Sequence, residues 1–247
     1  MKRRAFTAGD YSCILKSTRE YYREYKDQYV MFYENWAKGK AEFSGSEYVR
    51  GYETVAKILS DMVKADESVI DIGCGVGRWS TLLAERGAHV TSIDYLSAML
   101  KHLAQSCRQR ELQPKISPVV SDGFYLPFTG DAFDGATLNW VLSHIPVTRN
   151  RQFLNEVRRV VRDGGWLFIS DNYWRGQEGG KEQVHTRQVS GKPYEVYKYY
   201  YEPGELVTLL QKTFGAVRHV QPLHYELISV ATKCSVGDRE NIDARIG

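Results

Sequence analysis

The sequence predicts an α/β protein: a doubly wound, mostly parallel seven-stranded sheet with an antiparallel last strand, flanked by helices and preceded by an N-terminal helical segment. Three observations carry this. At residue 68 the hydrophobic pattern changes from a helical period to a short, continuous apolar run. That run, Ser68 to Ile72, ends in Gly73-Cys74-Gly75-Val76-Gly77, a tight loop before a helical pattern. From there to residue 233, short β-branched runs alternate with helical patterns, and such alternation implies right-handed crossovers.

The elements follow in order. Tyr22, Tyr25, Tyr29, Phe32, Tyr33 and Trp36 recur near a helical period and predict a helix over 17–38; Tyr52, Val55, Leu59 and Met62 predict another over 47–64. After the glycine loop, residues 78–86 read as helix and stop at Gly87. Residues 89–93 read as strand, and Leu96, Met99, Leu100 and Leu103 mark a helix. Strands are expected at 116–120 and 133–140, then a helix over 149–162 with Phe153, Val157, Val160 and Val161 on one face. Gly164-Gly165 should break the chain before a strand at 166–170. A helix at 205–212 and two closing strands, 214–221 and 224–233, complete the pattern. Three units are expected: an N-terminal helical lid at 1–45, a main domain at 46–233 with a polar, Tyr-rich substrate-side insertion at 174–200, and a polar tail at 234–247.

Composition narrows the function. With 247 residues, 43% apolar and 26% charged, the chain has material for a full core. The longest apolar runs are about four residues, so no membrane helix is expected, and the basic start lacks the apolar stretch of a secretory signal. A cytoplasmic location is the simple reading. A net charge of +3 and no basic tract interleaved with aromatics argue against nucleic acid. The four cysteines are scattered, with no metal-ligand spacing, so no metal is expected.

The carboxyl ends of the predicted strands carry the chemistry. Asp71 lies in the first strand, and Gly73, Cys74 and Gly75 form the loop after it. A nicotinamide fingerprint would place its third glycine at 78, where Arg78 stands instead. Asp94 ends the second strand, 17 residues after Gly77, where a carboxylate can accept two ribose hydroxyls; it also suits a helix cap. Asp122-Gly123 ends the third strand, where a carboxylate can accept an adenine amino proton.

Together these stretches, VIDIGCGVGR (69–78), VTSIDYLSAML (90–100), VVSDGFYLPF (119–128), FDGATLNWVLSHI (133–145) and VRRVVRDGGWLFIS (157–170), resemble the class I S-adenosylmethionine-dependent methyltransferases of the type 11/25 kind. The resemblance spans roughly 46–233. It implies S-adenosyl-L-methionine as cofactor and S-adenosyl-L-homocysteine as product. By position it assigns Gly73, Cys74 and Gly75 to the methionine part, with Arg78 pairing its carboxylate. Asp94 takes the ribose, Tyr95 or Met99 flanks the adenine, and Asp122, Gly123 and Phe124 frame its edge. Asn139, with Trp140 after it, presents its backbone to the amino group.

Methyl transfer from a sulfonium is an in-line displacement, and the enzyme mostly supplies alignment. The leading acceptor class is a small molecule, methylated on N or O. LNWVLSHI followed by ISDN is also similar, over a short stretch, to protein α-N-terminal methyltransferases, which makes a peptide amine the second reading. A SAM-binding module without catalysis is the third. For an amine acceptor, His144 is the candidate base and Asn172 the group that orients the acceptor; both positions equally suit packed strand-end residues. Ser143 lies on the same segment. Tyr29, Tyr33 and Trp36 of the aromatic stripe, and Trp174 of the insertion, are candidate substrate walls, although such a stripe also serves as plain core.

Overall fold

Val69 and Ile70 are neighbours in sequence and end in different cores. Side chains alternate across a strand, so a central strand that is apolar at every position must be covered on both faces. This governs the whole sheet of the computed structural model, which describes residues 7–37, 47–223 and 226–235.

The strands are β1 (Ser68–Ile72), β2 (His89–Asp94), β3 (Ile116–Val120), β4 (Phe133–Asn139), β5 (Val161–Asn172), β6 (Glu182–Val189), β7 (Lys192–Tyr199), β8 (Gly215–Leu223) and β9 (Glu226–Lys233). The helices are α1 (Ala8–Ala37), α2 (Glu47–Met62), α3 (Arg78–Glu85), α4 (Ser97–Gln109), α5 (Asn150–Val160) and α6 (Pro203–Thr213). Seven strands form one sheet in the order β3-β2-β1-β4-β5-β9-β8. β9 runs antiparallel to both its neighbours, and the pairs from β3 to β5 are parallel. This is the sheet expected from the sequence.

One face is covered by α2, α3 and α4 through Leu59, Leu83 and Leu103. The other is covered by α5 and α6 through Phe153, Val157, Leu206 and Leu210. Each of these side chains is fully buried or nearly so, worth roughly 1.5–3 kcal/mol.

The structure departs from expectation in three places. First, β5 starts at Val161, not 166, and Gly164-Gly165 lies inside it. Pairing with β4 slips between Phe133↔Val161 and Gly135↔Trp166, so the glycines form a bulge rather than a break. Arg162 Nε donates to Asp134 Oδ1 at 2.6 Å beside it. Second, residues 182–199 form the two-stranded hairpin β6–β7, turned by Ser190 (φ 50°) and Gly191 (φ 77°). Two successive positive φ values suit a tight hairpin turn.

Third, α1 starts at Ala8 and its first half is anchored on that hairpin. Tyr11, Ile14 and Thr18 are buried. Ser17 Oγ accepts from the Glu195 N–H (2.8 Å) and Thr18 Oγ1 from the Tyr197 N–H (3.1 Å). Helix hydroxyls thus satisfy the open edge of β7, which would otherwise present unpaired backbone.

Candidate active site

The strand order reverses between β1 and β4, and a crevice opens there beyond the carboxyl ends of the strands. It holds a cavity of about 230 Å³. Its floor is Gly73 and Gly75 after β1, Asp94 at the end of β2 with Tyr95 after it, and Asn139 at the end of β4 with Trp140 after it. Met99 of α4, together with Asp122, Gly123 and Phe124 beyond β3, forms one wall. The roof is α1: Leu15, Thr18, Arg19, Tyr22 and Tyr29 all face in, spaced as one side of a helix.

The loop is shaped from beneath. Gly77 has φ 81°, and a Cβ there would run into the Leu103 side chain, so α3 starts hard against α4. Asp71 does not reach the cavity. It is buried, accepts from Ser80 Oγ at 2.6 Å, and Ser80 accepts in turn from Ser92 Oγ at 2.8 Å. Burial pushes the Asp71 carboxyl up to about 7. Asp94 does reach the cavity, and its two oxygens accept from the N–H groups of Gly75 (3.0 Å) and Leu96 (2.8 Å). Burial raises its pKa against those bonds.

A smaller cavity adjoins the first through Tyr29, Gly73, Asn139 and Trp140. Cys74 and Arg78 line it. The Arg78 guanidinium lies 3.2 Å over the Tyr52 ring, and burial raises the Cys74 thiol well above its usual range. Glu226 closes this pocket; burial pushes its carboxyl up to about 7 although Ser170 and the Trp140 side chain hydrogen-bond to it. Trp140 itself has φ 57°, a strained conformation for a bulky residue, and its N–H donates to Ser170 O at 2.7 Å. The side-chain Oδ1 of Asn139 is buried with no hydrogen-bond partner among the described residues.

The far end of the larger cavity carries Tyr22, His144 and Lys198. His144 Nδ1 lies 2.9 Å from Tyr197 O, and a carbonyl only accepts, so Nδ1 carries the proton. Nε2 therefore accepts from the Tyr22 hydroxyl at 2.8 Å. Burial, with the nearby Lys198 charge, holds the imidazole well below its usual range. Lys198 Nζ donates to Ser143 Oγ at 3.1 Å. Burial lowers its pKa, and Asp171 pulls the other way. Asp171 stands behind, accepting from the N–H groups of Ser143 (2.8 Å) and Asn172 (2.7 Å).

Most of the expected cofactor residues therefore meet in one place. Several expected substrate residues do not. Ser143 is buried behind Lys198, and Asn172 turns its amide back to Asp171 (3.3 Å) instead of lining the cavity. Trp174 lines a separate open hollow with Lys181, Glu182 and Tyr199. The side chains of Tyr33 and Trp36 lie outside the described residues.

Among the cavity residues that the sequence did not mark as site residues are Arg19, Tyr22, Arg149 and Lys198. Arg19 pairs with Asp122 at 2.7 Å, and Arg149 lies 4.0 Å over the Phe124 ring. For α1 a signal existed, because Leu15, Arg19, Tyr22 and Tyr29 share one helical face. For Lys198 none did, since its place depends on how the hairpin folds back.

Comparison with known proteins agrees with this geometry. Residues 70–169 match the family described as methyltransferase domain. The chain is 33% identical over 130 residues to methyltransferase GfsG of Streptomyces halstedii, covering 52% of this chain and 45% of that protein. It is 29% identical over 123 residues to a demethylmenaquinone methyltransferase of Listeria welshimeri, covering 49% and 51%. The chain spans about half the length of these curated relatives. Among solved structures, the fold is similar to the DhpI–SAM–HEP complex (TM-score 0.68, 19% identity, 92% of this chain and 98% of that one). It is also similar to the 1,6-didemethyltoxoflavin-N1-methyltransferase of Burkholderia thailandensis (TM-score 0.65, 19% identity, 94% and 93%). Fold, glycine loop, acidic strand ends and the matching residues agree: residues 70–169 match a methyltransferase domain, and the sheet that carries them has the fold of solved methyltransferases.

Proposed function

We propose that the protein transfers the methyl group of S-adenosylmethionine to N or O of a small-molecule acceptor. The observation that carries this is the roofed cavity of about 230 Å³ at the reversal of strand order, with Asp94 and Asp122 at one end and His144 and Lys198 at the other. The residues present fit the cofactor. Asp94 offers a carboxylate to a ribose, and the buried Oδ1 of Asn139 offers an acceptor to an ammonium. Arg78, in the adjoining pocket, suits a carboxylate.

When bound, the cofactor supplies an electrophilic methyl group on a positively charged sulfur. The chain's own residues bind, orient and exclude water. Tyr29 and Tyr22 of α1 cover the cavity, and Trp140, held by Ser170 and Glu226, forms its floor. His144 is neutral, with both nitrogens engaged, so it acts here as a positioning residue that ties α1 to the hairpin. The enclosure by α1 also favours a small acceptor over the peptide amine of the second reading, whose chain would need an open groove.

The reading rests on a two-stage test. Calorimetry should give saturable binding of S-adenosylmethionine and no comparable binding of NAD. Release of S-adenosylhomocysteine should then be followed with panels of small phenols, acids, heterocyclic amines and an N-terminal peptide. Tighter binding of NAD, or turnover confined to the peptide, would sink it.

A further inference from the structure

We propose that the acceptor end of the cavity is a seat for an anionic oxygen, so that the acceptor is a small molecule bearing a carboxylate or ionised hydroxyl held by the Lys198 ammonium. This rests on the methyltransferase reading above and narrows its substrate class.

Among the described residues, three cations line the cavity. Arg19 pairs with Asp122, and Arg149, whose partners are the neutral Phe124 ring and Gln152 Oε1, makes the latter bond in solvent. Lys198 differs in its place at the acceptor end, beside Ser143. Its hydrogen-bond partner is the neutral hydroxyl of Ser143, and among the described residues no carboxylate lies within ion-pair distance of it. Asp171 acts only from behind Ser143, with its Oδ2 accepting the Ser143 N–H and its Oδ1 the Asn172 N–H. The carboxylates that line the cavity, Asp94 and Asp122, belong to the cofactor end.

Lys198 is half-buried, and an ammonium even partly taken out of water without a counter-charge carries a cost that an anionic ligand offsets. The neighbours reinforce the sign. His144 is fixed as a hydrogen-bonded neutral ring, so it does not compete as a cation, and Tyr22 spends its proton on His144. A cationic amine would meet Lys198, with Arg187 also contributing positive potential there.

The test uses the full chain saturated with S-adenosylhomocysteine and three probes of one shape: benzoate, benzamide and benzylamine. Benzoate at about 10 mM should raise the melting temperature by about 3–5 °C, the uncharged amide less, and the ammonium least. Lys198→Met should abolish the benzoate shift while the S-adenosylhomocysteine shift stays as in the unmodified protein. Lys198→Arg should keep part of it. Equal shifts with benzamide, a larger shift with benzylamine, no shift with any probe, or an unchanged benzoate shift in Lys198→Met would each overturn the proposal. The three-probe comparison on the unmodified protein decides the matter even where a variant fails to fold. Failure of S-adenosylhomocysteine itself to bind would instead count against the methyltransferase reading.

Discussion

The hydroxyl of Tyr22 donates to His144 Nε2 at 2.8 Å, and the two rings meet edge-on with centroids 5.3 Å apart. One residue comes from the N-terminal helix and the other from the turn after β4. The bond therefore joins the roof of the cavity to its floor, and it consumes the lone pair that a general base would need.

Replacing Tyr22 with Phe should leave a buried acceptor unsatisfied and cost about 1–3 kcal/mol of stability. Denaturant melts of the two proteins measure this. A cost near zero would show that water or another donor replaces the hydroxyl.

The same site predicts a pH dependence. His144 titrates well below 6.5 in the folded state, so the unfolded chain takes up its proton first as pH falls. Its contribution is present above pH 6.5 and is lost as pH falls below it. His144→Gln should flatten the loss of stability between about pH 7 and 5. An unchanged slope would put the imidazole in water.

Asp71 has the opposite sign. Its carboxyl is raised to about 7, so the folded state keeps a proton that the unfolded chain gives up near its ordinary value of 3.8. That stability is present at low pH and lost as pH rises through about 7. Asp71→Asn keeps an acceptor for Ser80 and removes the buried charge, so the variant should gain about 1–4 kcal/mol relative to wild type above pH 8. Glu226, also raised to about 7, still contributes a similar slope in the variant. Equal pH profiles for both proteins would refute a desolvated Asp71.

Asp94→Ala should weaken S-adenosylhomocysteine binding by about 10–100-fold, the loss of a charged partner for two hydroxyls. The Gly75 and Leu96 N–H groups also lose their acceptor, so the loop becomes less ordered. Titration calorimetry reads this directly, and an unchanged affinity removes Asp94 from the site.

The first half of α1 should be protected from hydrogen exchange without any ligand, together with the Glu195 and Tyr197 amides that its hydroxyls hold. Thr18→Val should speed exchange at Tyr197 by about tenfold or more, as one buried hydrogen bond is lost. Rapid exchange across all of α1 in the unmodified protein would show that the hairpin does not hold the helix.

Sheet, crossovers and cofactor end were legible because their determinants are local. Ser68 to Ile72 is a buried strand by its own composition, Gly73, Gly75 and Gly77 mark the tight loop after it, and Asp94 and Asp122 stand at strand ends whatever surrounds them. The break expected at Gly164-Gly165 became a bulge because pairing with β4 outweighed glycine's local preference. The acceptor end was decided by tertiary structure alone. Lys198 looks like any lysine in a polar strand until β6–β7 folds under α1 and brings it, half-buried, to the wall of the cavity. Only that packing distinguishes Tyr22 from the other tyrosines of its stripe, turns Asn172 and Trp174 away from the cavity, and converts His144 from a free imidazole into a fixed neutral link. Local sequence sets which conformations a segment prefers. Desolvation and partner choice, which set charge and chemistry, depend on segments more than a hundred residues apart meeting in one place.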